Sequence, residues 1–473
     1  MNLTKKQTEL VVIGGGPGGY TAAFRAADLG KEVTIVEYHE NIGGVCLNVG
    51  CIPSKTLLHV VEVLEETRRL SELGITDFIK TKINIEKLKA YKKKIINSLT
   101  GGLKSLAKKR NINLIQGIAT FVSANEIKVT KFLGEEIIKF EQAIIAIGSS
   151  SKNLPFSLDD PRLINSTDAL ALQDIPKQLL VIGGGITGME IGTIYQSLGS
   201  KVSMVELTTT LLTGVDTDLV APLQKRMSKH FTQILLNTKV TDIQARKDGL
   251  WVSFKGKDVS RREIRFDKVL FSGGRIPNGK NICAEEIGVI VNEHGFIPVD
   301  KYQRTNLKHI FAIGDVTSNP MLAHKAILSG KIAAEVTCGL KHTFEPKCIP
   351  SVAYTNPEIA WVGITEQEAR DKNLVYGKGV FPWIANGRAL TIGQNIGLTK
   401  IIFNKHNNQI IGAGIVGLHA GDLISELALA IETKCNATDL TLTMHPHPTL
   451  SETICQAAEA YKGSITDLYV QKK

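Results

Sequence analysis

Two cysteines with four residues between them, Cys46 and Cys51 in GGVCLNVGCIPSK (43–55), are the first residues in the chain that could do chemistry. Thiols at this spacing suit a metal clip, a structural disulfide or a working redox pair. A four-thiolate zinc site needs a second close pair, and the other cysteines (283, 338, 348, 435 and 455) offer none, so no metal site is predicted. Structural disulfides are rare in a reducing compartment, where such bonds are usually transient and catalytic. Five residues along a regular helix rise about 7.5 Å, beyond the ~7 Å that a bridged Cα pair tolerates. If the two are bonded, the stretch between them must leave regular helix, which Gly43, Gly44 and Gly50 would ease. Pro53 could then start the helix that PSKTLLHVVEVLEE describes. Cys51 would sit beside its N-terminus with Lys55 one turn on, and both favour a thiolate. Two inert buried thiols are the alternative.

A dithiol needs a base, and MHPHPTLSE (444–452) offers His445, His447 and, five residues past His447, Glu452. Imidazole titrates in the range that deprotonates a thiol, and a carboxylate on its other nitrogen would fix its tautomer. Alone, the stretch reads as surface histidines in a Pro-rich turn. It acquires meaning only beside a dithiol.

These groups must be carried by a scaffold, and a repeat organises it. ELVVIGGGPGGYTAAFRAADLGKEVTIVE and QLLVIGGGITGMEIGTIYQSLGSKVSMVE are one unit twice: Gly14, Gly16, Gly19 and Glu37 recur 169 positions on as Gly183, Gly185, Gly188 and Glu206. Each copy reads as strand, glycine turn, helix and second strand ending in Glu. The first glycine makes the turn, the second lets backbone approach a pyrophosphate, and the third lets helix and strand pack, while the helix N-terminus offers free N–H groups. The acid, 18 residues past the last glycine, is placed for ribose hydroxyls. Glu206 favours NAD over NADP, because a 2′-phosphate would meet a negative charge. Two dinucleotide sites suggest hydride relay between a nicotinamide and a flavin.

FEQAIIAIGSSSKNLP (140–155) and FDKVLFSGGRIPN (266–278) flank the second unit, as if the chain leaves a first domain and later returns. NLKHIFAIGDV ends a buried strand at Asp315, either a sugar-hydroxyl ligand or a plain turn aspartate. Beyond about 345, alternating stretches predict an antiparallel sheet, and HAGDLISELALAIET predicts a helix with Leu423, Leu427, Ala430 and Ile431 on one face. The fold class is therefore α/β, with two Rossmann-like units and a C-terminal α+β region. A net charge of +10 raises nucleic acid as a partner, but the basic residues are scattered. The clusters at Lys92–Lys94 and Lys108–Arg110 read as a solvated helix face without interleaved aromatics. No nucleic-acid or membrane partner is expected. MNLTKKQTEL lacks the apolar core of a signal peptide, so a cytoplasmic protein is expected.

Over nearly its whole length the chain resembles the dihydrolipoamide dehydrogenases, flavin disulfide reductases of the 2-oxo-acid dehydrogenase complexes. The motifs are GGGPGGY (14–20), GGVCLNVGCIPSK, GGGITGME (183–190), IGD (313–315) and HPHPTLSE (445–452). The resemblance implies a homodimer that serves a lipoyl-bearing acyltransferase, with domains 1–148 (FAD), 149–272 (NAD), 273–345 (central) and 346–473 (interface). It implies FAD held by Gly14, Gly16, Gly19, Glu37, Lys55, Gly117, Asp315 and Ala323, and NAD held by Gly183, Gly185, Gly188, Glu206, Val240 and Gly274. Lys55 and Glu190 would pair near the flavin ring. His447, oriented by Glu452, would be the acid–base for the other subunit's cysteines, with Cys46 meeting substrate and Cys51 facing the flavin. Glutathione reductases are similar in layout but use NADP, which Glu206 opposes. Mercuric reductases would bring a terminal cysteine pair that this chain lacks. Val45, where many members have Thr, departs from the pattern without touching the thiols.

Overall fold

The apolar run before the first glycine turn forms the inner half of β1 (Thr4–Ile13), where Leu10, Val11 and Val12 are wholly buried. The computed structural model describes residues 4–77, 83–152, 158–256 and 263–469; residues 153–155 of the first crossing and the last four residues lie outside that set. From β1 the chain enters α1 (Pro17–Asp28) and returns as β2 (Val33–Glu37), parallel to β1 and buried at all five residues. Burial on both faces is what a parallel strand with helical cover requires. Then follow α2 (Gly44–Val49), α3 (Cys51–Glu72) and α4 (Ile85–Lys109). Strands β3 (Asn113–Gln116), β4 (Ile118–Ser123), β5 (Glu126–Lys131) and β6 (Gly134–Ile145) extend the sheet to the order β3-β2-β1-β6-β5-β4.

By composition 44–72 is long and apolar enough to cross a membrane. In the fold it is two helices, and Leu57, Leu58 and Val61 of the second are packed into the protein core. One basic cluster corrects the reading above. Lys92 is not on a solvated face: it is 8% exposed, and its ammonium donates to the carbonyls of Leu170 and Ala171. Those carbonyls end a short helix, where the unpaired acceptors and the negative dipole end favour a cation.

The chain crosses out through β7 (Ser149–Ser151) and β8 (Leu163–Ile164), and α5 (Ser166–Ala171) leads to the second repeat. There β9 (Gln178–Ile182), α6 (Ile186–Ser197) and β10 (Lys201–Val205) copy β1-α1-β2. After α7 (Thr217–His230) come β11 (Gln233–Leu235), the antiparallel β12 (Thr238–Arg246), β13 (Gly249–Gly256) and β14 (Glu263–Phe266), then β15 (Lys268–Phe271). The second parallel sheet runs β11-β10-β9-β15-β8. The chain crosses back through β16 (Arg275–Pro277), which pairs antiparallel with β7, and β17 (Ile310–Ala312) rejoins the first sheet beside β6. Helix α8 (Ala323–Thr337) packs on α1 so closely that a Cβ on Gly330 would lie 2.5 Å from the Gly18 carbonyl oxygen.

The last region is a five-stranded antiparallel sheet of β18 (Ser351–Ala353), β19 (Glu358–Gly363), β20 (Tyr376–Pro382), β21 (Leu398–Asn404) and β22 (Ile410–Gly417), in the order β18-β19-β22-β21-β20. Short helices α9 (Glu366–Asp371) and α10 (Gly387–Thr391) connect its strands, and α11 (Ala420–Glu432), α12 (Ala437–Leu442) and α13 (Glu452–Lys462) follow. On α11 it is Ile424, with Leu427, Ala430 and Ile431, that is buried, while Leu423 lies at the edge of the stripe. This region is tied to the second unit by a charge cluster. The Lys400 ammonium, 1% exposed, is bonded to Asp216, Asp218 and Glu366 at 2.7–3.0 Å.

Candidate active site

The two cysteines stand on either side of a helix break. Helix α2 carries Cys46 and ends at Gly50, whose φ of −131° and ψ of −106° are outside the helical range; α3 begins at Cys51. The expected departure from regular helix is thus present. The start of α3 is two residues earlier than Pro53 suggested, because proline is tolerated anywhere in a first turn whose N–H groups have no partner. Gly43 and Gly44 both have positive φ, 122° and 59°. They dock the segment on the first glycine turn: Gly43 N donates to Gly15 O at 2.7 Å, and a Cβ on Gly44 would lie 2.7 Å from Gly16 Cα.

Both residues are thiols here, with Cys51 exposed and Cys46 partly so. The Cys46 thiol hydrogen-bonds to Cys51, and this contact is the main cause of a Cys51 pKa held down to about 7; the Lys55 ammonium adds to it and Glu190 opposes it. The same bond, with burial, pushes Cys46 up. The contact thus pushes the two thiols in opposite directions, Cys51 down and Cys46 up. Lys55, one turn along α3, is fixed by Glu190 of α6, whose oxygens accept from its Nζ at 2.8 and 3.0 Å. Glu190 is 4% exposed and also accepts from Tyr354 N at 3.0 Å, while Lys55 lies 4.6 Å from the Tyr354 ring centroid. Tyr354 was not singled out from sequence, since nothing in SVAYTNPEIAWVG distinguishes it from a core aromatic. Behind this pair is a cavity of ≈210 Å³ reached by His59, Glu62 and Glu358, and burial pushes Glu358 up to about 7.

The glycine turns discriminate between packing and ligand demands. A Cβ on Gly19 or Gly188 would lie 1.9 or 2.1 Å from the carbonyl oxygen of Gly14 or Gly183, and those two glycines have φ of 101° and 109°. The fold itself demands these four. Gly16 and Gly185 are different: the nearest atom to an added Cβ is 3.9 Å away at Gly16, and none lies within 4 Å at Gly185. Each caps its helix without a side-chain bond. Open room at an uncapped helix N-terminus fits a pyrophosphate in both units. Glu37 accepts from Gly15 N at 2.7 Å and His39 N at 2.9 Å; Glu206 accepts from Gly184 N at 2.6 Å and Thr208 N at 2.8 Å. The repeat thus extends to the backbone bonds that fix each carboxylate. Gly15 and Gly184 were readable for this, being the middle glycine of each GGG.

The remaining expected residues fall as follows. Gly117 sits against the first acid, its N–H bonded to Glu37 O at 2.9 Å. Asp315 follows β17 and accepts from Ser149 Oγ at 2.6 Å; Ala323 opens α8. Gly274 has φ of 100° just before β16. Val240 turns its side chain into the core of the second unit, leaving only its backbone for a ligand. His447 Nδ1 lies 2.8 Å from Glu452 Oε1, and Glu452 Oε2 accepts from Thr449 N at 2.7 Å. His447 is exposed. His445, its side chain 7% exposed, is instead held by Glu426 at 2.9 Å, which raises its pKa. Among the described residues, no hydrogen bond or ion pair joins His447 to either active cysteine of the same chain.

A dithiol braced by an ion pair, set on the first of two dinucleotide cradles, defines a flavoprotein disulfide oxidoreductase. Pyridine nucleotide-disulphide oxidoreductase matches residues 8–330, and the dimerisation domain of that family matches 349–458. A dihydrolipoyl dehydrogenase of Vibrio cholerae is 49% identical over 98% of this chain and 97% of its own, and one from Buchnera aphidicola of Acyrthosiphon pisum is 48% identical over 98% of each. Among solved structures, LpdA of Mycobacterium tuberculosis superposes with a TM-score of 0.88 at 25% identity, covering 96% of this chain and 99% of that one. The chain belongs to the dihydrolipoyl dehydrogenase family of the pyridine nucleotide-disulphide oxidoreductases. It is an NAD-dependent flavoprotein with FAD and NAD as cofactors, and the dimerisation domain makes it a homodimer.

Proposed function

We propose that the chain oxidises protein-bound dihydrolipoamide to lipoamide and reduces NAD, within 2-oxo-acid dehydrogenase complexes whose lipoyl-bearing acyltransferase is its partner. The observation that carries this is the pair of cysteines set on either side of the Gly50 helix break, with the Lys55–Glu190 ion pair one turn along. A sulfur of lower pKa is the better leaving group in thiol–disulfide exchange. The lowered pKa of Cys51 supports attack at Cys46 and departure of Cys51. His447, held through Nδ1 by Glu452, takes a proton from the first substrate thiol at Nε2. The substrate thiolate bonds to Cys46 Sγ, the Cys46–Cys51 bond breaks, and Cys51 leaves with the electron pair. The second substrate thiol attacks the substrate sulfur of the mixed disulfide, its proton passing to the departing Cys46 sulfur, and lipoamide is released. The pair has gained two electrons and the substrate has lost two. Bound FAD supplies the acceptor for that electron pair and NAD the exchangeable hydride acceptor.

Gly14, Gly16, Gly19, Glu37, Lys55, Gly117, Asp315 and Ala323 are assigned to FAD; Gly183, Gly185, Gly188, Glu206, the Val240 backbone and Gly274 are assigned to NAD. His447 acts on the partner subunit's dithiol, a reading supported by its place in the dimerisation domain. Domain boundaries at 148/149, 272/273 and 345/346 accompany the assignment, supported by the chain's exit through β7 and return through β16. A reducing compartment suits a cycling dithiol, and we place the protein in the cytoplasm. The test compares dihydrolipoamide plus NAD with glutathione disulfide plus NADPH. Turnover should favour the first pair strongly and vanish in Cys46→Ser; preference for the second pair overturns the proposal.

A further inference from the structure

The two crossings between the dinucleotide units meet at one side chain. β7 leads out and β16 leads back, paired Ser151 to Arg275 and Ser149 to Pro277. Asn278 N donates to Gly148 O and its side chain to Ile147 O, each at 3.0 Å. Within this clasp Arg275 Nε donates to Ser149 Oγ at 2.6 Å, and its guanidinium also donates to the Ser149 carbonyl. Ser149 Oγ in turn lies 2.6 Å from Asp315 Oδ2, and Ser149 is 4% exposed.

Donor rules fix the direction of this chain of bonds. A guanidinium has donors and no acceptor, so at its contact with Arg275 the serine oxygen must accept. A hydroxyl has one proton, so that proton is committed to Asp315. Without Arg275 the hydroxyl could rotate and give its proton to another acceptor, leaving the Asp315 oxygen without its donor. No described residue donates to Asp315 Oδ1, so that oxygen keeps its capacity for an outside hydroxyl. Arg275 itself forms no ion pair with Asp315, whose charge acts instead on the Lys325 ammonium, so Arg275 reaches the carboxylate only through the Ser149 hydroxyl.

We infer that Arg275, on the returning strand, is a positioning residue for the flavin-site acid Asp315, acting through the hydroxyl of Ser149. This rests on the assignment of Asp315 to FAD above. It makes flavin retention depend on the residue next to Gly274, a group assigned to NAD.

The test follows the rate at which holoenzyme releases FAD in mild denaturant, read by the recovery of flavin fluorescence, for Asp315→Ala, Ser149→Ala, Arg275→Met, Arg275→Lys and the double variant. A hydrogen bond to a charged group is worth enough for release to quicken about tenfold in S149A and in R275M. R275K, which restores a donor, should recover most of the loss, and the double variant should match the worse single rather than the product of both. Unfolding followed by far-ultraviolet circular dichroism separates flavin loss from general damage, since S149A leaves the backbone pairing intact. If D315A releases flavin faster but R275M does not, or if the two effects multiply, the inference fails alone. If D315A releases flavin no faster than wild type, the assignment of Asp315 fails and takes the inference with it.

Discussion

Removing the Cys46 thiol should raise the pKa of Cys51 by one to two pH units. The Cys51 thiolate is held down to about 7 chiefly by the hydrogen bond from Cys46, with Lys55 second among the groups that lower it. Lys55 is already neutralised by Glu190 at 2.8 Å, so its net field at Cys51 is reduced. A hydrogen bond to a charged group is worth about 1.5–3 kcal/mol, and one pH unit corresponds to about 1.36 kcal/mol. Cys46→Ala should therefore move the midpoint from about 7 to roughly 8–9. Lys55→Met should raise it by less, roughly one unit or under, because the ammonium ranks below the Cys46 bond among the groups that lower it. The assay is the thiolate absorbance near 240 nm of the reduced protein titrated with base, checked by the pH dependence of alkylation. In the reduced wild type the first midpoint belongs to the pair. A midpoint unmoved in C46A and displaced by more than a unit in K55M would show that the ion pair, and not the partner thiol, sets the thiolate. The leaving-group argument for Cys46 and Cys51 would then lose its basis.

Three further outcomes follow from the charged contacts of His447 and Lys400. Glu452→Gln keeps an acceptor for His447 but loses the charge beside it, so dihydrolipoamide oxidation should fall roughly 10–100-fold, while the flavin spectrum is unchanged. Lys400→Met leaves Asp216 and Asp218 beside Glu366 without their shared cation, Glu366 keeping only Lys378, a loss of about 3–5 kcal/mol that should lower the unfolding midpoint by roughly 3–5 °C for a chain of this length. In the wild type, burial works against the charge of Glu366, but bonds from Lys378 and Lys400 outweigh it and hold the carboxyl at about 2. Its stabilisation is therefore complete above the unfolded value of about 4.3 and is lost as pH falls through about 2; thermal unfolding between pH 5 and 2 should show a steeper decline in wild type than in K400M.

The parts of this protein that sequence determines are those whose physics is local. A Gly-x-Gly-x-x-Gly turn is written in consecutive residues, because its backbone demands a glycine at the turn and another where helix meets strand. Two copies 169 residues apart define both cradles, down to the acids Glu37 and Glu206. The helix break between Cys46 and Cys51 is also local, following from thiol spacing and Gly50, and His447 with Glu452 is a contact five residues long. Tertiary structure decides what depends on residues far apart in the chain. Pro53 could not locate the helix start, since a first turn accepts proline at several positions. Lys92 looked like part of a solvated cluster until α5 supplied the carbonyls that hold it 78 residues away. Glu190 was legible only by resemblance, and its bonds to Lys55 and Tyr354 span 135 and 164 residues. Arg275, Ser149 and Asp315 lie in three separate segments, and no periodicity or spacing links them. A hydrogen bond between distant segments leaves no pattern in a single sequence, because only the folded sheet brings β7, β16 and the end of β17 to one place.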